Sequence, residues 1–423
     1  MLRQLLVASF VLVAHAEATV IHVPGDQPTI QAGIDSASDG DVVQVAPGTY
    51  VEKLDFTGKA IEVRGAGPSL STINPSEAST GKARVVTFNS GEGNESVLSG
   101  FTLTGGNAHR GGGASCWNSS PTISGCSITN NSGSWGGGGI HCWKSSPIIS
   151  ECSIAGNSGK LATGGGVSCW DSSPQLANCR ITGNSADDGG GILCGYSASP
   201  ILTNCTIAEN TARAKGGGMY CYTLSRPTLT NCILWNDTPT EVAGDTTFCA
   251  LAYCDVEGGW SGAGNINSNP KFQAQDYKLR EDSPCIDAGA SSGAPAIDFE
   301  GDPRPWGPGY DIGADEYKPV GIDGSTPEGA PLRTRLAAVH PNPFNPQTII
   351  PFDLAHTGAV RLTIHDIRGS LIRTLVHGEL ESGSHAIRWD GTAQSRSAVS
   401  TGVYVVRLET PGKRETQRIV LLK

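Results

Sequence analysis

The chain has 423 residues, 17% of them charged, with 56 glycines, 13 cysteines and a net charge of −10. So much glycine with so little charge suits a turn-dense β protein and excludes both a helical enzyme and a disordered chain. Residues 19–317 carry 16 Lys/Arg against 30 Asp/Glu, while residues 318–423 carry 13 against 9. An acidic body of this kind disfavours nucleic acid, and anionic polysaccharide as a long-range partner, unless a local basic patch overrides the field.

Residues 1–18 have the layout of a signal peptide. Arg3 supplies the positive start, Leu5 to Val13 the apolar core, and Ala14-His15-Ala16 or Ala16-Glu17-Ala18 a small-residue cleavage site. The mature chain is expected to start at Glu17 or Thr19. The apolar run is too short to span a bilayer, and no later segment approaches eighteen apolar residues, so no transmembrane segment is expected in the mature chain.

Thr29 to Ala37 reads as a short amphipathic helix, placed to plug the end of whatever fold follows. Asp39-Gly40-Asp41 and Val42 to Val45 then give a turn and a first strand. Asp35, Asp39 and Asp41 suit turn and cap chemistry better than a calcium site.

From Gly111 to Asn236 one unit of about 26 residues recurs five times. The first copies read Gly112-Gly113-Ala114-Ser115-Cys116-Trp117 with Ser119-Ser120-Pro121, then Gly138-Gly139-Ile140-His141-Cys142-Trp143 with Ser145-Ser146-Pro147. A fixed period of this length marks a solenoid. No copy holds a run with helical periodicity. Each holds short alternating pieces broken by Gly, Ser-Ser-Pro and Asn, which describes three short strands and three turns per coil. Equivalent residues then stack at about 4.8 Å. Two ladders of cysteines line the interior, Cys116/142/169/194/221 and Cys126/152/179/205/232. An inward asparagine ladder (Asn131, Asn157, Asn184, Asn210, Asn236) fixes one turn. Ladder placement favours buried free thiols over a disulfide framework, because stacked neighbours have parallel Cα–Cβ vectors. Neither a Cys-x-x-Cys pair nor clustered His points to zinc.

These repeats resemble the pectate-lyase-like right-handed β-helix superfamily. The resemblance implies an all-β fold: a right-handed parallel β-helix over 19–317, with an N-terminal cap and a closing segment. Asn269-Pro270-Lys271-Phe272, Ser283-Pro284-Cys285-Ile286-Asp287 and Asp311-Ile312-Gly313-Ala314-Asp315 resemble the closing segment of secreted bacterial β-helix proteins. Asp287, Asp298, Asp302, Asp311 and Asp315 raise calcium as a possible ligand. No EF-hand spacing accompanies them, so no cofactor is expected.

Residues 318–338, rich in Pro and Gly, read as a linker. The region 339–423 opens with Pro341-Asn342-Pro343-Phe344-Asn345-Pro346. It then alternates through Val360 to Ile364 and Val403 to Leu408, with Asp366-Ile367-Arg368-Gly369 and Trp389-Asp390-Gly391 between. It is similar to the Ig-like domain of flagellar hook-capping proteins and to the sorting domains of type IX secretion cargo. That resemblance implies a small β-sandwich that engages secretion machinery and places the protein outside a bacterial cell, secreted or on the outer surface.

For function, the solenoid offers two candidate sites. Trp117, Trp143 and Trp170 share one register, with Tyr222 in the fifth copy and Tyr196 displaced by one residue. If the neighbouring cysteines point inward, these rings point outward and could stack sugar rings. The second site is a charged loop cluster of Lys160, Asp187, Asp188 and Arg213, with Lys215. Asp187-Asp188 resembles the paired aspartates of the polygalacturonase group, but the Asn-Thr-Asp, Gly-His-Gly and Arg-Ile-Lys motifs found with them there are absent. The expected function is adhesion or glycan binding by a monomer. A polysaccharide lyase or glycoside hydrolase, and a structural surface stalk, are the alternatives.

Overall fold

The computed structural model describes residues 18–423, apart from 79–81, 162–163, 274–275, 319–333 and scattered positions from 337 onward. The signal-peptide reading therefore falls outside the described residues, Ala18 aside. Two compact units divide after Lys318.

The first unit is a parallel β-solenoid. Its three long sheets have ten, nine and eight strands, running from Val20–Val23 to Asp255–Val256. One coil shows the plan: Ile140–Trp143, Ile148–Ser150, Ser153–Ala155 and Ser158–Gly159. The fourth of these was not expected from the sequence. It belongs to a five-stranded rim sheet from Asn107–Ala108 to Thr211–Lys215, built where the Asn turn runs into the glycine loop.

Each corner is turned by one residue with positive φ. After the tryptophan these are Asn118, Lys144 and Asp171; before the second cysteine they are Gly125, Glu151, Asn178, Asn204 and Asn231. Gly and Asn recur at these corners because they tolerate the left-handed region best, while Lys144 and Glu151 adopt it against their preference. Register is strict: Cys116, Cys142, Cys169, Cys194 and Cys221 stack in order, as do Ile128, Ile154, Ile181 and Ile207. All thirteen cysteines are free thiols, twelve of them buried and Cys249 partly so. The second ladder gains a sixth rung in Cys254, whose Sγ takes the Cys232 N–H at 3.4 Å.

The asparagine ladder runs as expected through Asn131, Asn157, Asn184 and Asn210. Each side-chain carbonyl accepts both the N–H and the Nδ2 of the rung before it, at 2.9–3.1 Å for Asn157, Asn184 and Asn210. The fifth rung differs from expectation. Asn236 sits at the positive-φ corner, equivalent to Asn130, and Asp237 takes the rung, accepting from Asn210 at 2.6 and 2.9 Å. Asp237 N–H then bonds Glu241 at 3.0 Å. Burial pushes both carboxyls up, Glu241 further because Asp237 faces it, so the pair retains a proton at neutral pH.

The helix forms as Ile30–Ser36, capped by Thr29 at 3.1 Å, and it buries Ile30 and Ile34 against the first coil. The nearby aspartates act as caps: Asp41 accepts from Thr19 and Ser38, and Asp39 from Ala60.

The closing segment folds back along the outside of the nine-stranded sheet. Asn178 donates to Ile297 O at 2.7 Å, Asn204 to Asp311 O at 3.1 Å, and Asn231 to Ala290 O at 2.8 Å. Its aspartates are occupied by its own backbone: Asp298 accepts from Glu300, Asp302 and Glu316, and Asp311 from Asp287 and Tyr317. The Arg304–Glu316 pair at 2.8 Å is fully buried.

The second unit is an antiparallel sandwich. Four strands, Leu371–Leu380, Gly358–Asp366, Gly402–Thr410 and Lys413–Leu421, face three others, Arg335–Leu336, Thr348–Leu354 and Gly383–Trp389. Arg335–Leu336 lies inside the stretch expected to be linker; it pairs with Phe352 and Asp353 and so belongs to the sandwich. Trp389, Phe352, Leu362 and Val406 form the core. Tyr404 donates its hydroxyl to Ser400 O at 2.6 Å, a bond from a strand residue back to the preceding corner.

Candidate functional site

The eight-stranded sheet carries the aromatic register. Within Ile140–Trp143, Ile140 and Cys142 point into the core, so His141 and Trp143 point out. Two outward rows result. The row Ser115, His141, Ser168, Leu193 is buried, covered by the glycine loops. A Cβ on Gly136 would lie 2.7 Å from His141 Nδ1, which is why that loop must be glycine there. The row Trp117, Trp143, Trp170 is half-buried, and Tyr196 beside it is exposed.

The expected stripe exists, but its geometry differs from a set of open platforms. Trp117 and Trp143 stack with centroids 5.3 Å apart and planes 10° from parallel; Trp143 and Trp170 follow at 6.5 Å. Neighbouring faces are therefore turned towards one another, and the stripe offers ring edges along its length and an open ring face at its Trp117 end. Trp170 leans over Gly195, where any Cβ would come within 2.4 Å of the ring, so the fourth copy has no aromatic in register. Tyr196 and Tyr222 close that end at 5.1 and 5.6 Å from Trp170.

At the other end the register partner of Trp117 is Asn89, since Phe88 pairs with Cys116. Here a groove of about 360 Å³ is lined by Arg84, Asn89, His109, Arg110, Ser115 and Trp117. Arg110 lies 5.3 and 5.4 Å from the ring centroids of Trp117 and Trp143. Arg84 donates to Arg110 O at 2.8 Å and to Gly111 O at 3.1 Å. Burial, then the charges of Arg110 and Arg84, hold His141 down to about 3, so it is neutral. Sequence reasoning missed Arg110, whose signal is that a charged residue heads the first glycine triplet, at the position of Gly136 one coil later.

Of the charged loop cluster, Lys160, Asp187 and Arg213 meet in a second groove of about 530 Å³ over the rim sheet. Asp188 does not line it; its charge acts instead on Tyr222. Burial raises the Asp188 carboxyl, as does Asp187, while Lys215 opposes them. Asp187 is already engaged, accepting Leu161 N–H at 3.0 Å and Arg213 at 3.3 Å. Glycoside hydrolysis needs two carboxyls across one bond; among the residues lining this groove only Asp187 is acidic.

For a cation, Asp298, Glu300 and Asp315 bring carboxylate oxygens within 4.8 Å of one another. Arg180 already bonds Glu300 at 2.5 Å, and Asp315 holds Leu279 N–H at 2.6 Å. A calcium ion there would have to displace that guanidinium.

Residues 92–244 match the model of the right handed beta helix region, and residues 349–413 that of the FlgD Ig-like domain. The chain joins a right-handed β-helix to a FlgD Ig-like domain. No curated protein matches it. Among solved structures, the chain is similar to dimeric latent PorU from Porphyromonas gingivalis (18% identity, 24% of this chain and 10% of that one, TM-score 0.19). It is also similar to PorZ of the same organism, an essential surface component of its type-IX secretion system (23% identity, 20% and 11%, TM-score 0.16). A pectin methylesterase variant in complex with a hexasaccharide is similar at 12% identity over 60% of this chain and 92% of that one, TM-score 0.35. The chain thus spans about a tenth of the length of the first two. Among the described residues no helix is long and apolar enough to cross a membrane.

Proposed function

We propose that this is an exported protein displayed at a bacterial cell surface, with the solenoid binding glycan and the Ig-like domain serving secretion or attachment. The observation that carries the binding role is the aromatic row, half-exposed on the outer face of one sheet with Arg110 across its first two rings. Indole edges and the end face of Trp117 give apolar area to a sugar, and a row that follows the coils tracks a chain rather than a single residue. The hydrolase or lyase alternative has less support, because Asp187 is engaged and stands alone in its groove.

A panel of polysaccharides assayed both for retention and for product release tests this. Trp143→Ala with Trp170→Ala should weaken retention at least about tenfold, roughly 1 kcal/mol per lost contact. Cleavage of any polymer that Asp187→Ala abolishes and the tryptophan pair leaves intact would give the solenoid to catalysis instead.

A further inference from the structure

The groove at the Trp117 end brings two guanidiniums together with no carboxylate among its lining residues, although the charge of Asp55, the register neighbour of Thr87, acts on Arg84. Four other guanidiniums of the solenoid unit meet carboxylates, Arg64 with Glu62, Arg180 with Glu300, Arg213 with Asp187 and Arg304 with Glu316, while Arg226 lies over the Phe248 ring. Arg84 instead spends its donors on the carbonyls of Arg110 and Gly111 and on Thr87 Oγ1. Arg110 forms no hydrogen bond or ion pair through its side chain with any described residue; its guanidinium rests against two indoles. The two positive groups thus share one groove of about 360 Å³ with no carboxylate among its lining residues.

Two further observations bear on what the groove takes. His141 is 1% exposed, and neither ring nitrogen has a partner. It is the cross-strand neighbour of Ser115 on the groove wall, and it packs on Gly136 beside the Arg110 stem: an added Cβ there would lie 2.7 Å from His141 Nδ1 and 3.1 Å from Arg110 Cγ. His141 is not among the groove's lining residues, so it backs the wall at Ser115 and offers a ligand no direct contact. Moreover, Trp117 is the one indole of the row with no ring on one side, because Asn89 precedes it in register.

A guanidinium with free donors, as Arg110 has, selects an oxyanion, with Arg84 adding positive charge, and an indole face packs against the apolar C–H face of a sugar ring. We infer that the Arg84–Arg110–Trp117 groove is a binding site for an oxyanion carried on a sugar ring, either a uronate carboxylate or a sulfate ester. The inference rests on the glycan reading for its sugar and on the arginines alone for its charge. The site makes the solenoid selective: a neutral chain can lie along the ring edges, while an acidic residue is anchored at the terminal groove.

The test uses the full chain and four probes: inorganic sulfate, cellotetraose, its 6-O-sulfated form, and the β-1,4-linked glucuronate tetrasaccharide. In wild type, sulfate should shift the indole N–H resonance of Trp117, assigned with Trp117→Phe. At least one charged tetrasaccharide should bind about tenfold tighter than cellotetraose, the worth of one charge-assisted pair. Arg110→Gln should remove the sulfate shift and cut that preference to about twofold. Asn89→Asp, at an exposed position, should do the same by placing a carboxylate in the groove. Which charged form binds tighter identifies the source of the oxyanion. A sulfate shift or a charge preference that survives in both variants overturns the site. If all three tetrasaccharides bind alike and the Trp143/Trp170 double variant loses them, the glycan reading stands and this site does not. If no tetrasaccharide binds but sulfate still shifts Trp117 through Arg110, the anion site stands and the glycan reading fails.

Discussion

Two outer faces of one solenoid are treated in opposite ways. Over coils three to five, the nine-stranded sheet is overlaid by the chain itself: the closing segment buries Thr182, Thr206, Ala208 and Ile233, and bonds the corner asparagines. Among the described residues, the eight-stranded sheet receives only the thin glycine loops, which hide the inner row at His141 and stop short of the tryptophans. Both faces start from the same repeat and the same register. The difference is that one is finished by a folded cover some forty residues long, and the other is left with half-exposed indoles. Soluble proteins rarely leave contiguous aromatic surface open without use, so the open face is where a partner is sought.

The largest test of this contrast lies in the cover. Arg304 and Glu316 pair at 2.8 Å with side chains 0% and 1% exposed, and Arg304 also donates to Gly313 O at 2.9 Å. Arg304→Met leaves Glu316 charged and unpaired in the interior, a loss of about 3–5 kcal/mol. Hydrogen exchange should quicken across residues 279–317, with little change in the coils at 114–170. If those residues keep wild-type protection, the cover is held by something other than this pair, and the distinction between a locked face and an open one weakens.

A smaller effect separates the two ends of the solenoid by pH. Near the N-terminus, hydrogen bonds from Ser38 and Thr19 hold Asp41 low. At the far end burial pushes Asp311 and Asp315 up to about 7, and Asp237 and Glu241 are raised as well. A carboxyl whose folded pKa exceeds its unfolded value binds its proton more tightly when folded. Its favourable contribution is full below the unfolded pKa and is lost as pH rises through the folded one. The C-terminal coils and their cover should therefore weaken from about pH 4 upward, through about 7 for Asp311 and Asp315 and on to about 10 for Glu241. Glu241→Gln, which keeps the shape of the protonated acid, should raise thermal stability at pH 8 by about 1 kcal/mol and change it little at pH 4.5. A variant less stable than wild type at pH 8 would mean that Glu241 carries a needed charge, and that the carboxyl pair is not protonated.

The repeat made most of this legible. Period, alternation and the Cys, Ile and Asn ladders follow from residues that recur at one spacing, because stacking at the strand separation forces like onto like. What escaped were departures from the period. Asn236 has the right identity for the fifth rung, but local chain geometry turns it into the corner and puts Asp237 in its place. The short rim sheet has no sequence signature, since Ser132–Gly133 and Ser158–Gly159 alternate nothing apolar. Arg84 and Arg110 lie in and beside the irregular coil before the first full repeat, where no ladder singles them out. That the tryptophans would stack on one another rather than stand apart depends on rotamers, which a sequence pattern does not contain.

A third effect, the loss of one half-buried ring, decides whether the open face is structural. If Trp143 served mainly to shield its sheet, its removal would expose His141 and the glycine loop and cost several kcal/mol, as core aromatics do. Its surroundings argue otherwise. Cys142, not Trp143, faces the interior, and His141 is covered by Gly136 on the loop. The ring packs against Trp117, Trp170 and Arg110, all on the outer surface. Trp143→Ala should then forfeit two aromatic contacts of about 0.5–1.5 kcal/mol each, and a cation–π contact of about 0.5–1 kcal/mol. A melting experiment should place the total near 2 kcal/mol, with near-native circular dichroism and unchanged protection at Ile140 and Cys142. A variant that fails to fold would show that the indole row shields the sheet. It would then be one more cover, built from side chains where the opposite face uses main chain.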